Sequence, residues 1–136
     1  MSTAGICRID DGRYSIWCKL CRCGDDISLA ISGGDRPHIG AAALAVSRPS
    51  LSDKTKLSAT VSSICVTGHK DDELARNSAN KLAAKYNCVV VVSIGLHIDN
   101  ASRDDIGHLY ENFSRLMEQV DKMQQRWNKN NKSLPS

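Results

Sequence analysis

The sequence predicts an α/β fold: a single-domain sandwich in which a β-meander is followed by helix, strand and helix, with a mixed sheet covered by two helices. Three observations carry that expectation. Segments before residue 66 alternate or run apolar as strands do, residues from 71 onward adopt a 3.6-residue period, and the β-branched run Val89 to Val92 interrupts that helical pattern. No internal repeat and no linker divides the chain, so residues 1–127 read as one domain and residues 128–136 as a polar, disordered tail.

Residues 13–22 place Tyr14, Ile16, Cys18 and Leu20 on one side and Ser15, Trp17, Lys19 and Cys21 on the other, as in a half-buried strand. Gly24-Asp25-Asp26 is a turn, and Ile27, Leu29 and Ile31 continue the alternation, which makes a hairpin. The run 39–46, IGAAALAV, suits a strand closely covered by another layer; 47–56 is a polar loop, and Leu57 to Val66 is a further strand. From Asp71, the stripe Leu74, Ala75, Ala79, Leu82, Ala83 and Tyr86 predicts a helix whose first turn carries Asp71, Asp72 and Glu73, where carboxylates complement the dipole. Asn87 ends it. Ser102-Arg103-Asp104-Asp105 resembles a capping box with Asp in place of Glu, and Ile106 through Val120, extending to Met123 and Trp127, traces a longer amphipathic helix. One right-handed crossover is expected to join the parallel strands.

Composition narrows the function classes. Lys+Arg 18 against Asp+Glu 15 leaves a net charge of +3, gathered toward Arg126, Lys129 and Lys132, too sparse for a sequence-blind nucleic-acid binder. The N-terminus lacks a secretory pattern and the longest apolar run, Cys88 to Leu96, is about half of a bilayer span. The expected location is the cytoplasm, with neither nucleic acid nor membrane as a partner. Six cysteines there imply reduced thiols. Cys65 and Cys88 read as small hydrophobes in strands. Cys18, Cys21 and Cys23 lack the second ligand pair of a closed zinc site, and a strand sends Cys18 to one face and Cys21 and Cys23 to the other.

Three of the four histidines sit in short Gly/Asp-rich segments beside apolar runs: His38 in GGDRPHIG, His69 in TGHKDDE and His97 in IGLHIDNA. Strand ends of an open α/β sheet are the usual place for a ligand. Gly33 and Gly34 suit either a backbone cradle for an anion or a simple turn. Arg36 is placed to clamp a phosphate, with Pro37 stiffening the segment that presents His38 and Gly40 permitting close packing behind it. Gly68, His69 and Lys70 surround a helix start, which favours anions. Asp99 either holds the His97 tautomer, coordinates a cation or makes an Asx turn with Asn100. His108 reads as a helix surface residue. Two site readings follow: a pocket for a phosphorylated, ring-bearing ligand, or a divalent metal ion held by His38, His69 and His97 in a metal-dependent hydrolase. A protein-assembly scaffold is a third reading, with Phe113, Met117 and Met123 either forming an interface or buried against the sheet.

The segments GGDRPHIGAAALA, TGHKDDELA and GLHIDNASRDDI resemble the small prenylated-flavin chaperone family of the gallate decarboxylase D subunit, over about residues 12–120. That family is related to proteasome-assembly-chaperone folds. The resemblance implies a non-catalytic protein, a homodimer, that binds prenylated FMN (or FMN) for a partner decarboxylase of hydroxy-aromatic acids, with a flavin prenyltransferase as a further partner. It implies a cofactor site made of Gly33, Gly34, Arg36, His38, Gly68, His69, Lys70, His97, Asp99 and Asn100, and no catalytic residue. The cysteine-rich first strand, Leu96 and the Asn/Lys tail depart from the family pattern.

Overall fold

A computed structural model describes residues 3–66 and 71–131. The strands are β1 (Ala4–Ile9), β2 (Ile16–Cys23), β3 (Asp26–Gly34), β4 (Ala41–Pro49), β5 (Leu57–Cys65) and β6 (Val89–His97), and the helices are α1 (Asp71–Tyr86) and α2 (Arg103–Asn131). They form one six-stranded sheet in the order β1-β2-β3-β6-β4-β5. The meander is β1-β2-β3, and β4-β5 is a separate hairpin. Between them β6 pairs parallel to β3 and antiparallel to β4, so β5, α1 and β6 make a crossover unit that straddles β4.

Both helices lie on one face. Cys18, Ile31, Ile94 and Ala41 are partners across β2, β3, β6 and β4, and all are buried on the helical side. Alanines at 41, 43 and 45 keep β4 flat, so α1 approaches it through its own Ala75, Ala79 and Ala83. α2 covers β1 and β2 with Leu109, Phe113, Leu116 and Val120, and Met117 and Met123 pack partly buried against the same core. Its box is reciprocal: Asp105 N donates to Ser102 Oγ at 3.0 Å and Ser102 N to Asp105 Oδ2 at 2.9 Å.

Several expectations shift. β1 was not anticipated: six residues with only Cys7 and Ile9 turned inward give little alternation to read. Residues 12–14 form a 3-10 turn instead of opening a strand, because Asn112 of α2 donates to Asp11 Oδ2 and to the Tyr14 carbonyl and holds the segment off the sheet. Cys65 is exposed on edge strand β5, whereas Cys88 is buried. Cys18 points inward and Cys21 and Cys23 outward as expected, and burial pushes the Cys18 thiol up to about 12. The helix runs through 128–131, the first part of the expected tail. Near that end the buried Arg22 donates to Gln124 Oε1 at 3.1 Å and lies 4.9 Å from the Trp127 ring, which ties the last turns of α2 to β2.

Leu116 is fully buried at the α2 seam. Leu116→Ala is expected to cost about 2–5 kcal/mol in equilibrium urea unfolding, whereas Ser114→Ala on the exposed side should stay within about 0.5 kcal/mol.

Candidate functional site

The parallel strands β3 and β6 end in register, with Gly34 opposite His97, and the segments that follow them face one another. Gly34 has φ +82°, and a side chain there would meet the His97 carbonyl oxygen at 2.2 Å. Its N–H donates to Ser15 O at 3.0 Å, and Asp35 N donates to His97 O at 2.6 Å. Gly33 packs against Ser15 and Ile16. The two glycines thus have a packing reason, and the N–H groups of Gly34 and Asp35 are bonded inside the chain.

His38 is anchored from both sides. Its N–H donates to the buried Ser32 hydroxyl at 3.1 Å, and Ser32 in turn donates to Gly95 O at 3.1 Å. Its ring Nδ1 lies 2.9 Å from Arg36 O and therefore carries the proton of that bond, leaving Nε2 toward Asp71 Oδ2 at 3.5 Å. Asp71, at the first residue of α1, is buried, and its other oxygen accepts from Leu96 N at 3.3 Å. A side chain at Gly40 would strike Asp71 Oδ2 at 2.1 Å, so glycine here makes room for the His38–Asp71 pair. His97 faces His38 edge-on with ring centroids 6.3 Å apart. His97 Nε2 lies 3.0 Å from Asp99 Oδ1, which makes Asp99 the group that orients this ring. Asn100 occupies the following turn at φ +53°.

Two arginines border these rings. Arg36 pairs with Asp99 at 3.1 Å. Arg13 pairs with Asp35 at 2.8 Å and donates to Asp99 O at 3.1 Å, while Asp99 N donates to Asp35 Oδ2 at 2.9 Å. The Arg13 guanidinium holds the Asp35 carboxyl below its ordinary range. The guanidiniums, 44% and 72% exposed, are in weak surface-type pairs.

Behind this shell, Tyr14 stacks on His108 at 4.0 Å, and His108 Nε2 lies 2.6 Å from Asp11 Oδ2. His108 lies at the surface, as expected, with its side chain 42% exposed, and is engaged there by Asp11 and Tyr14. Tyr14 donates to Asp105 at 2.5 Å, and chiefly through that bond the Asp105 carboxyl is held down to about 2. A cleft of about 180 Å³ opens beside the rings between Asp71, Leu96, His97 and the start of α2.

Of the expected site residues, the structure assembles Gly33, Gly34, Arg36, His38, His97, Asp99 and Asn100 at one end of the sheet. Gly68, His69 and Lys70 lie outside the described residues. Among the described residues, no group of three or more His, Cys, Asp or Glu side chains is arranged to hold a metal ion. Sequence reasoning missed Arg13, Ser32 and Asp35, and read Asp71 only as a complement to the helix dipole. Asp35 stands inside the GGDRPHIG segment and was available to be read; the pairing of Arg13 with it spans 22 positions and leaves no local signal.

The fold defines the class first. A chain from a chaperone complex for yeast 20S proteasome assembly, known from a crystal structure, superposes with a TM-score of 0.55 over 92% of this chain and 98% of its own at 13% identity, a likeness of fold. The family described as the prenylated flavin chaperone LpdD-like domain matches residues 10–125, and the chain belongs to that family. Among curated proteins, none is significantly similar in sequence.

The depressed Asp105 carboxyl contributes stability that is complete above its ordinary value of 3.8 and is lost as pH falls through about 2. Thermal melts across that window should fall for the native chain, and Asp105→Asn should flatten the acid limb; an unchanged slope refutes the assignment.

Proposed function

We propose that this chain is a non-catalytic carrier of prenylated FMN, which supplies or matures the cofactor of a partner decarboxylase acting on hydroxy-aromatic acids, in the cytoplasm and next to a flavin prenyltransferase. The observation that carries the reading is the convergence of Arg13, Arg36, His38 and His97 beside a cleft, in a chain of this family. The residues suit such a ligand. The arginines offer forked donors for the phosphate, and the imidazoles, with Asp99 and Asn100, offer hydrogen bonds and edges to the ring system. The bound flavin would supply the chemistry of the partner enzyme, not of this chain. A carrier must release its cargo, and ring edges and surface guanidiniums give reversible contacts.

Anaerobic titration with reduced prenylated FMN and with FMN tests the reading, with saturable binding of the prenylated form expected; saturation by neither ligand rejects it. His97→Ala should weaken binding about tenfold or more, about 1.4 kcal/mol, while leaving the melting temperature within a few degrees of the parent.

The carrier is expected to be a homodimer, and the sheet suggests how. With the α2 stripe turned into the core, the opposite sheet face presents apolar side chains, where Trp17, Leu44, Val46 and Ile64 are at least 40% exposed. β6 carries Val89 and Val91 toward that face although a strand with one wet face normally alternates. A second copy, stacking its own flat face across a twofold axis, fits this surface. Light scattering should give twice the chain mass, and Leu44→Glu should halve it; a monomeric parent at micromolar concentration overturns the dimer.

A further inference from the structure

We infer that the cleft beside His97 receives the isoprenoid-derived hydrocarbon ring of prenylated FMN, and that its lip residues Ile106 and Tyr110 set the preference for the prenylated over the unmodified flavin. This rests on the carrier reading and deepens it.

The cleft, about 180 Å³, is bounded by Leu96 and Ile98 at the end of β6, Ala101 in the connecting loop, and Ile106, Leu109 and Tyr110 on the first turns of α2. Leu96, Ile98 and Leu109 are fixed from below by the core, at 9%, 6% and 5% exposure, so the floor is preformed. Ile106 and Tyr110 stand at the lip, 39% and 38% exposed. Three lining residues bring polar groups: Asp71, buried, bonded to Leu96 N and facing His38, then His97, and Tyr110 with its hydroxyl. Two larger hollows lie elsewhere, and the first also has apolar lining, from Leu82, Phe113 and Met117. The one between the helices, about 340 Å³, is rimmed by Lys81, Lys85, Glu118 and Asp121, and the other is lined by Lys85, Tyr86, Asn87, Gln125, Asn128 and Lys129. Neither touches a residue of the histidine site.

Prenylation adds carbon to the flavin and no hydrogen-bonding group to the added ring. The added carbon is recognised through apolar contact, where a single methylene changes affinity roughly 10–200-fold. The polar remainder of the ligand stays with His38, His97 and the arginines, so a ligand placed there turns its hydrocarbon edge into the adjoining apolar wall.

The full chain and two surface variants, Ile106→Asn and Ala101→Phe, are titrated anaerobically with reduced prenylated FMN and with FMN, and their melting temperatures are recorded. Ile106→Asn removes apolar contact and Ala101→Phe fills the space. Each should weaken the prenylated ligand about tenfold or more while leaving FMN affinity within about twofold. Equal weakening of both ligands, or no change for the prenylated one in either variant, overturns the inference and leaves the carrier reading standing. A parent chain that binds neither ligand overturns both.

Discussion

The parallel pairing of β3 with β6 is the constraint on which the rest of the molecule depends. It places two strand ends side by side, Gly34 against His97, and thereby brings segments more than 60 residues apart within hydrogen-bond distance. Parallel strands need a long connection. Here that connection is the β4-β5 hairpin and α1, and its return delivers Asp71 beneath His38. A glycine at 34 is required because the two backbones meet too closely for a side chain.

Around this pairing the loops are tied by polar side chains more than by apolar packing. Ser32 joins His38 to Gly95, and the buried Asn112 joins α2 to Asp11 and Tyr14. Buried polar groups of this kind cost free energy unless satisfied, and once satisfied they specify one arrangement. The exposed Arg36–Asp99 and Arg13–Asp35 pairs are of the opposite sort, weak and exchangeable. A rigid base under exchangeable surface charges is the arrangement on which the proposed carrier role rests.

Much of this was legible in the chain. The alternation through Ile16, Cys18 and Leu20, the stripe of α1, and the Ser102–Asp105 box each depend on neighbours within a few positions, and each appears in place. The pairing of His97 with Asp99 was also local, two residues apart in an extended segment. Tyr14 lies in a 3-10 turn and not on the expected strand, because the contacts that decide it span 91 to 98 positions.

By itself, then, the sequence determined the types of most of its elements and the inward set of side chains, since periodicity and capping are short-range properties. Only the tertiary structure decided that β6 enters between β3 and β4, that Asp71 faces His38, that Arg13 pairs with Asp35, and that Trp17, Leu44, Val46 and Ile64 share an exposed sheet face. Strand order and long-range ion pairs are chosen by which faces can be buried together, a free energy of the whole assembly that no window of sequence contains.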